Sequence, residues 1–330
     1  MNLPLSRRRL TVSCAAMAGV AAAVSTRRVA AQNAWPTRAV RIVVGFTAGS
    51  ATDVTARLFA QKFSEAWGQP VVVENIPGNS GAIGADRVAK AAPDGYTLMW
   101  AGNAAITILP SLQDLPFDPL KDLESICMTL SMASLLFVNN DLPVRSVAEL
   151  VAHAKANPGK LSYGTPGTGT PQHIAGEMLC RRAGIRMEHI PYRGANMADV
   201  LSGVVPVGIQ NAGAAMPLVR EGRLRCIGVT SLTRSASAPD LPTVAEQGFP
   251  DFEAVSWFGL MAPAGTPQPI LAKVYAEAVK VTADEEMRKK FATLNLDVVG
   301  STPEEMRATI ARDIPKWARV IEEAGLRQRR

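Results

Sequence analysis

The stretch 43-VVGFTAGSATDVTARLFAQKF-63 decides how the chain is read. An apolar run ends at Phe46, seven small or polar residues follow at 47–53, and Val54, Leu58, Phe59 and Phe63 then recur at helical spacing. Gly68 closes the helical pattern. This is a strand feeding a helix through a small-residue loop. A helix start presents unpaired backbone N–H groups and the positive end of the helix dipole, so such a loop is suited to meet negative charge. It has no lysine and is not a phosphate cradle of the G-x-x-x-x-G-K type.

A second unit looks alike. In 163-YGTPGTGTPQH-173 a strand at 161–164 enters a Gly/Thr loop, and a helix begins near Pro171, a residue suited to a first helical turn. Two anion-ready loops facing each other across a cleft make one site from two halves. Strand candidates continue along the chain at 40–46, 71–75, 97–101, 134–139, 161–164, 187–190, 205–210, 225–229, 254–261 and 296–299. Helical patterns lie between them. Val147, Leu150, Val151 and Ala154 form one, with Ser146 as N-cap and Glu149 completing a capping box. Thr302-Pro303 opens the last one. The alternation predicts an α/β fold with mainly parallel sheets, and there is no solenoid-type repeat.

At 330 residues the chain is long enough for two domains. Its formal net charge is +6, but residues 1–31 hold five arginines and no acid, leaving about +1 for the rest. A near-neutral body argues against a nucleic-acid partner. Residues 1–31 read as an export signal. Ser6-Arg7-Arg8-Arg9-Leu10 is a charged start that also fits a twin-arginine signal, and residues 10–24 are apolar but short for a membrane span. Val29-Ala30-Ala31 offers small residues for cleavage before Gln32. The expected location is therefore the periplasm. Cys127, Cys180 and Cys226 remain after cleavage, in apolar contexts, and read as buried free thiols.

Enzyme motifs fail one after another. Gly78-Asn79-Ser80-Gly81 is not a nucleophile elbow, because Gly81 directly follows the serine. Gly167-Thr168-Gly169 starts like a dinucleotide fingerprint, but Gln172 stands where the third glycine belongs. His153, His173 and His189 have no His or Cys neighbour at i+3 or i+4, and no Cys pair lies nearby, so no metal and no cofactor is expected. His173, in the first turn after the second loop, is placed either to touch a ligand or to bond backbone. Asp53 reads as an early-helix residue that orders its loop. The enzymatic alternative is a hydrolase using Ser50 or Thr170 with His173, and it lacks an identifiable orienting acid.

The motifs 46–57, Val71-Val72-Val73-Glu74-Asn75-Ile76-Pro77-Gly78, Ala91-Ala92-Pro93-Asp94-Gly95-Tyr96-Thr97-Leu98, 156–164, Pro191-Tyr192-Arg193-Gly194, Leu241-Pro242-Thr243-Val244-Ala245-Glu246, Ser256-Trp257-Phe258-Gly259-Leu260 and 262–267 occur in order along the chain. Together they resemble the extracytoplasmic solute receptors of tripartite tricarboxylate transporters, the Bug receptors. The resemblance covers essentially all of the chain after residue 31. It implies a type II periplasmic-binding-protein fold: two α/β lobes, a ligand cleft and two hinge crossings. These are expected at 135–140 and 255–262, giving a first lobe of 36–138 and 256–330 and a second of 139–255.

The resemblance also implies that the two loops hold a small carboxylate through backbone N–H groups and bridging waters, in a monomer. That accounts for an anion site without Lys or Arg. The site residues it implies are Phe46, Thr47, Ala48, Gly49, Ser50, Asp53 and Asn103 from one side, and Thr165, Gly167, Thr168, Gly169, Thr170, His173, Gln210 and Asn211 from the other. The implied partners are membrane subunits of a tripartite transporter, or a sensor kinase. Three positions depart from the family pattern. Ser50 replaces a glycine, Thr170 a serine and Gln210 an aspartate; the last removes a negative charge and bears on ligand type.

Overall fold

The computed structural model describes residues 35–192, 197–235 and 238–327. The expected export segment, 1–31, lies outside the described residues, as does Arg193-Gly194.

The strands assemble into two sheets, of six and five strands. In the first, β1 (Val40–Val44) pairs in parallel with β2 (Val71–Asn75) and β3 (Thr97–Gly102). β10 (Ser256–Pro263) runs antiparallel between β3 and β4 (Leu123–Met132), and β11 (Asp297–Val298) caps the β4 edge. In the second, β6 (Ser162–Thr165) pairs in parallel with β7 (Glu188–Pro191) and β8 (Val207–Asn211), while β5 (Ser134–Val138) runs antiparallel between β8 and β9 (Arg225–Val229).

The sheets are mixed, not mainly parallel. β5 and β10 enter their sheets from the opposite sheet instead of through a right-handed βαβ crossover, so nothing constrains them to run parallel. β4 escaped the sequence reading, because Glu124, Ser125, Thr129 and Ser131 interrupt its apolar pattern. Its neighbours β10 and β11 supply the pairing that the local sequence does not announce.

The chain changes sheets at Ala133, between β4 and β5, earlier than the expected 135–140. Ser134 decides this. Its N–H donates to Thr230 Oγ1 (2.9 Å) and its carbonyl accepts from Thr230 N (3.0 Å), so pairing with the second sheet begins there. Thr230 also bonds Ala254, by its carbonyl to Ala254 N (2.9 Å) and by its hydroxyl to Ala254 O (2.8 Å), which ties the return crossing to the outgoing one.

Burial follows the sequence pattern. Phe59 and Phe63, a turn apart on the helix Ala51–Trp67, are fully buried, and Phe59 lies 4.7 Å from Trp100 and 5.9 Å from Phe291 between ring centroids. Such aromatic burial contributes a large share of the first core. The C-terminal helix Pro303–Glu323 starts with a complete Thr302/Glu305 capping box. It packs on β4 of the first sheet and on the helix Pro171–Ala183 of the second, so it also spans the two halves. No helix among the described residues is long and apolar enough to cross a membrane.

Candidate functional site

The first loop is shaped by the residues that end it. Ser50 is the N-cap of the helix Ala51–Trp67, its hydroxyl accepting from Asp53 N (3.3 Å), and Thr47 O accepts from Ser50 N (3.2 Å) to close a turn. Asp53 is 2% exposed and its carboxylate is fully engaged. One oxygen accepts from Gly49 N (2.9 Å) and Arg57 Nε (3.0 Å), the other from Asn75 Nδ2 (2.8 Å). Burial pushes this carboxyl up, but the Arg57, Gly49 and Asn75 hydrogen bonds together outweigh it and hold the group below its usual range. Asp53 is thus a brace under the loop. Asn75 extends it by donating to Phe46 O (3.0 Å).

Behind this loop sits the turn 78–81. A Cβ on Gly45 would come within 2.5 Å of Gly81 Cα, so the end of β1 and this turn meet backbone to backbone. Asn79 and Ser80 both adopt left-handed φ, 46° and 48°. Such conformations cost on the order of 1–3 kcal/mol each and persist only where the surroundings impose them.

The second loop rests on a buried polar cluster. Thr170 caps the helix Pro171–Ala183: its hydroxyl donates to Gly167 O (2.7 Å) and accepts from His173 N (3.3 Å). His173, 1% exposed, accepts from Gly169 N at Nδ1 (3.2 Å), which leaves the ring proton on Nε2. Its ring stacks on His189 with centroids 3.9 Å apart, and His189 Nε2 lies 2.7 Å from Thr165 Oγ1. Burial, and then the neighbouring His189, lowers the His173 pKa to about 3; burial lowers that of His189 to about 4. Both rings are neutral at neutral pH. His173 supplies no charge to a ligand and instead holds the loop from below.

The second loop meets the turn 78–81 and the segment that follows β3. Ser80 Oγ donates to Thr168 O (2.9 Å), and a Cβ on Gly169 would lie 2.9 Å from Leu112 Cδ1 and 3.3 Å from Leu109 Cδ2. At the crossings, Gln172 Nε2 donates to Ser134 Oγ (2.8 Å) and Asn211 Oδ1 (2.6 Å), and Ser256 Oγ donates to Asn211 Oδ1 (3.1 Å). Asn103 Nδ2 donates to Val255 O (2.7 Å).

The expected site residues therefore separate. Thr47, Ala48, Gly49 and Thr168 are exposed on the loop crests, with Phe46, Ser50 and Gly167 half-buried. Asp53, Thr165, Thr170 and His173 are buried supports beneath the loops. Asn103 and Asn211 bond to residues of the crossings, and Gln210 is buried with its Oε1 accepting from Asn211 N (3.1 Å). Among the described residues, no hydrogen bond engages the N–H groups of Thr47, Ala48, Thr168 or Thr170. Of these, Thr47, Ala48 and Thr168 are exposed and Thr170 is buried, and neither loop carries a Lys or Arg. Sequence reasoning missed Ser80, Leu109, Leu112 and Gln172. For Ser80 a signal was present: Asn-Ser between two glycines marks a left-handed turn.

The hydrolase arrangement has no geometric support. Ser50 Oγ accepts from Asp53 N, the Thr170 hydroxyl donates to Gly167 O, and His173 Nδ1 is taken by Gly169.

Comparison with known proteins identifies the family. Residues 55–326 match the model of the tripartite tricarboxylate transporter family receptor, TctC. The chain is 35% identical to Protein BugT of Bordetella pertussis over 317 residues, 94% of each protein. It superposes on R. palustris Rpa4515 with adipate at TM-score 0.82 and 34% identity, covering 88% of this chain and 98% of that one. MatC (Rpa3494) from Rhodopseudomonas palustris with bound malate gives TM-score 0.79 and 28% identity, covering 87% and 100%. The chain belongs to the tripartite tricarboxylate transporter receptor family, a family of solute-binding receptors and not of enzymes, and it has the two-lobed periplasmic-binding-protein fold.

Proposed function

We propose that this receptor captures a small organic carboxylate between the two loops. The observation that carries the reading is a pair of small-residue loops before helix starts, on which, among the described residues, no hydrogen bond engages the exposed Thr47, Ala48 and Thr168 N–H groups, and which carry no Lys or Arg of their own. Backbone donors and bridging waters bind a carboxylate with little loss relative to direct side-chain contacts. Relatives with adipate and with malate bound support the same ligand class. Thr47, Ala48, Gly49, Ser50 and Thr168 form the ligand-facing set. Asp53, Thr165, Gly167, Gly169, Thr170 and His173 shape the loops around it.

The lobes are residues 36–133 with 256–327, and 134–255, hinged at Ala133 and in 230–255. Family receptors are periplasmic, and here removal of residues 1–31 releases a monomer that delivers its ligand to the membrane subunits of a tripartite transporter. Gln210 replaces a formal charge with a neutral amide, which favours ligands without an ammonium group. A thermal-shift screen of mono-, di- and hydroxycarboxylates against amino acids and sugars tests the reading. Stabilisation by carboxylates supports it, since ligands of the native state raise the midpoint by mass action. A response confined to sugars or amines refutes it.

A further inference from the structure

Beyond the ligand-facing loops, the turn 78–81 touches the opposite lobe. Ser80 lies 88 residues before Thr168, and its hydroxyl donates to the Thr168 carbonyl at 2.9 Å. Next to that carbonyl, Gly169 faces Leu109 and Leu112, both buried residues of the first-lobe segment that follows β3. Unlike the Ser134, Thr230 and Ser256 contacts, which sit where the chain itself crosses, these two join segments that no covalent path holds together.

We infer that Ser80 is an interlobe latch that sets the receptor's affinity and release rate. The inference rests on the two-lobed receptor reading given above. Both latch contacts exist only while the lobes are together, so opening breaks them. They favour the closed form by the same amount whatever carboxylate occupies the cleft. Apparent affinity scales with the fraction of protein in the binding-competent form, so a latch raises affinity for every ligand by one factor. The single hydroxyl hydrogen of Ser80 is donated to Thr168 and is not available to a ligand. The left-handed backbone at Asn79 and Ser80 aims that hydroxyl across the gap.

Ser80→Gly is the informative variant. It removes the hydroxyl at a φ of 48° that glycine adopts without strain, so the turn is preserved. Lobe separation is read by spin-label distances between cysteines placed at Val72 and Val204, 53% and 72% exposed and one in each lobe, in a Cys226→Ala background. In the unliganded protein we expect a closed-distance population that falls roughly two- to tenfold in Ser80→Gly, the span of one neutral hydrogen bond. Dissociation constants for succinate, malate and adipate rise by that same factor, so their ratios are unchanged. The inference is overturned if unliganded wild type has no closed population, or if Ser80→Gly leaves that population unaltered. It is equally overturned if the variant changes the ratios between probes, which places Ser80 on the ligand. Should none of the three acids bind wild type, the carboxylate reading fails while the distance measurement still decides the latch.

Discussion

Replacing Gly169 separates fold stability from ligand capture, because its two constraints act on different states. Its φ of +76° is a left-handed conformation set within the loop itself. A non-glycine residue there costs roughly 1–2 kcal/mol of fold stability, more if β-branched. The second constraint is steric. An added Cβ lies 2.9 Å from Leu112 Cδ1 and 3.3 Å from Leu109 Cδ2, inside normal contact. The neighbours are flexible side-chain ends but are buried, at 3% exposure each, so they have little room to retreat. Overpacking of this kind costs about 1–3 kcal/mol, and it falls only on the closed form. Gly169→Ala is therefore expected to lower Tm by a few degrees. It should weaken carboxylate binding roughly five- to 150-fold. Gly169→Val, with a branched side chain, abolishes measurable binding while circular dichroism still reports a folded protein. Calorimetric titration beside a thermal melt reads both quantities. Affinity within twofold of wild type, alongside the expected fall in Tm, refutes the claim that this loop closes against Leu109 and Leu112.

Further expectations follow from the same geometry. Asp53→Ala takes the acceptor from Gly49 N–H, from Arg57 Nε and from one of the two bonds of the Asn75 amide, and a loss of about 2–4 kcal/mol in urea unfolding is expected; a loss below 0.5 kcal/mol contradicts the brace. His173, lowered from an ordinary 6.5 to about 3, contributes stability that is complete above pH 6.5 and declines as pH falls toward the folded value. By pH 5 the decline amounts to roughly 2 kcal/mol, so His173→Gln should flatten the acid limb of a stability–pH profile; an unchanged limb argues against a buried neutral ring. Aspartate should bind more weakly than succinate, since Gln210 offers no counter-charge to an ammonium; equal or tighter binding of aspartate shows that position 210 does not govern selection. Mass spectrometry of the exported protein should find an N-terminus near Gln32, and an intact Met1 on a membrane-bound form contradicts cleavage.

What the sequence made legible was local. Ser146 and Thr302 each start a helix where capping chemistry places them, and Gly68 ends one with a φ of 63°. Even there a detail moved: Glu149 accepts from Arg145 N (2.7 Å) instead of completing a box with Ser146. The two small-residue loops were recognisable because a strand, a turn and a helix start lie within a dozen residues. The roles beneath them were not. Whether His173 faces a ligand or the backbone depends on Gly169 folding over it and on His189 stacking from another strand. β4 was missed because its partners come from residues 256–263 and 297–298. Ser80 gained its partner 88 positions away, a proximity that no local pattern encodes.

The central claim, carboxylate recognition by backbone donors in the cleft, is tested most directly by calorimetric titration of ligand-stripped protein with the best-binding dicarboxylate and with its methyl esters. Recognition through the Thr47, Ala48 and Thr168 N–H groups predicts one-to-one binding of the acid, no turnover of either compound, and loss of most of the affinity on esterification. Esters that bind as tightly as the acid, or that are consumed, contradict it.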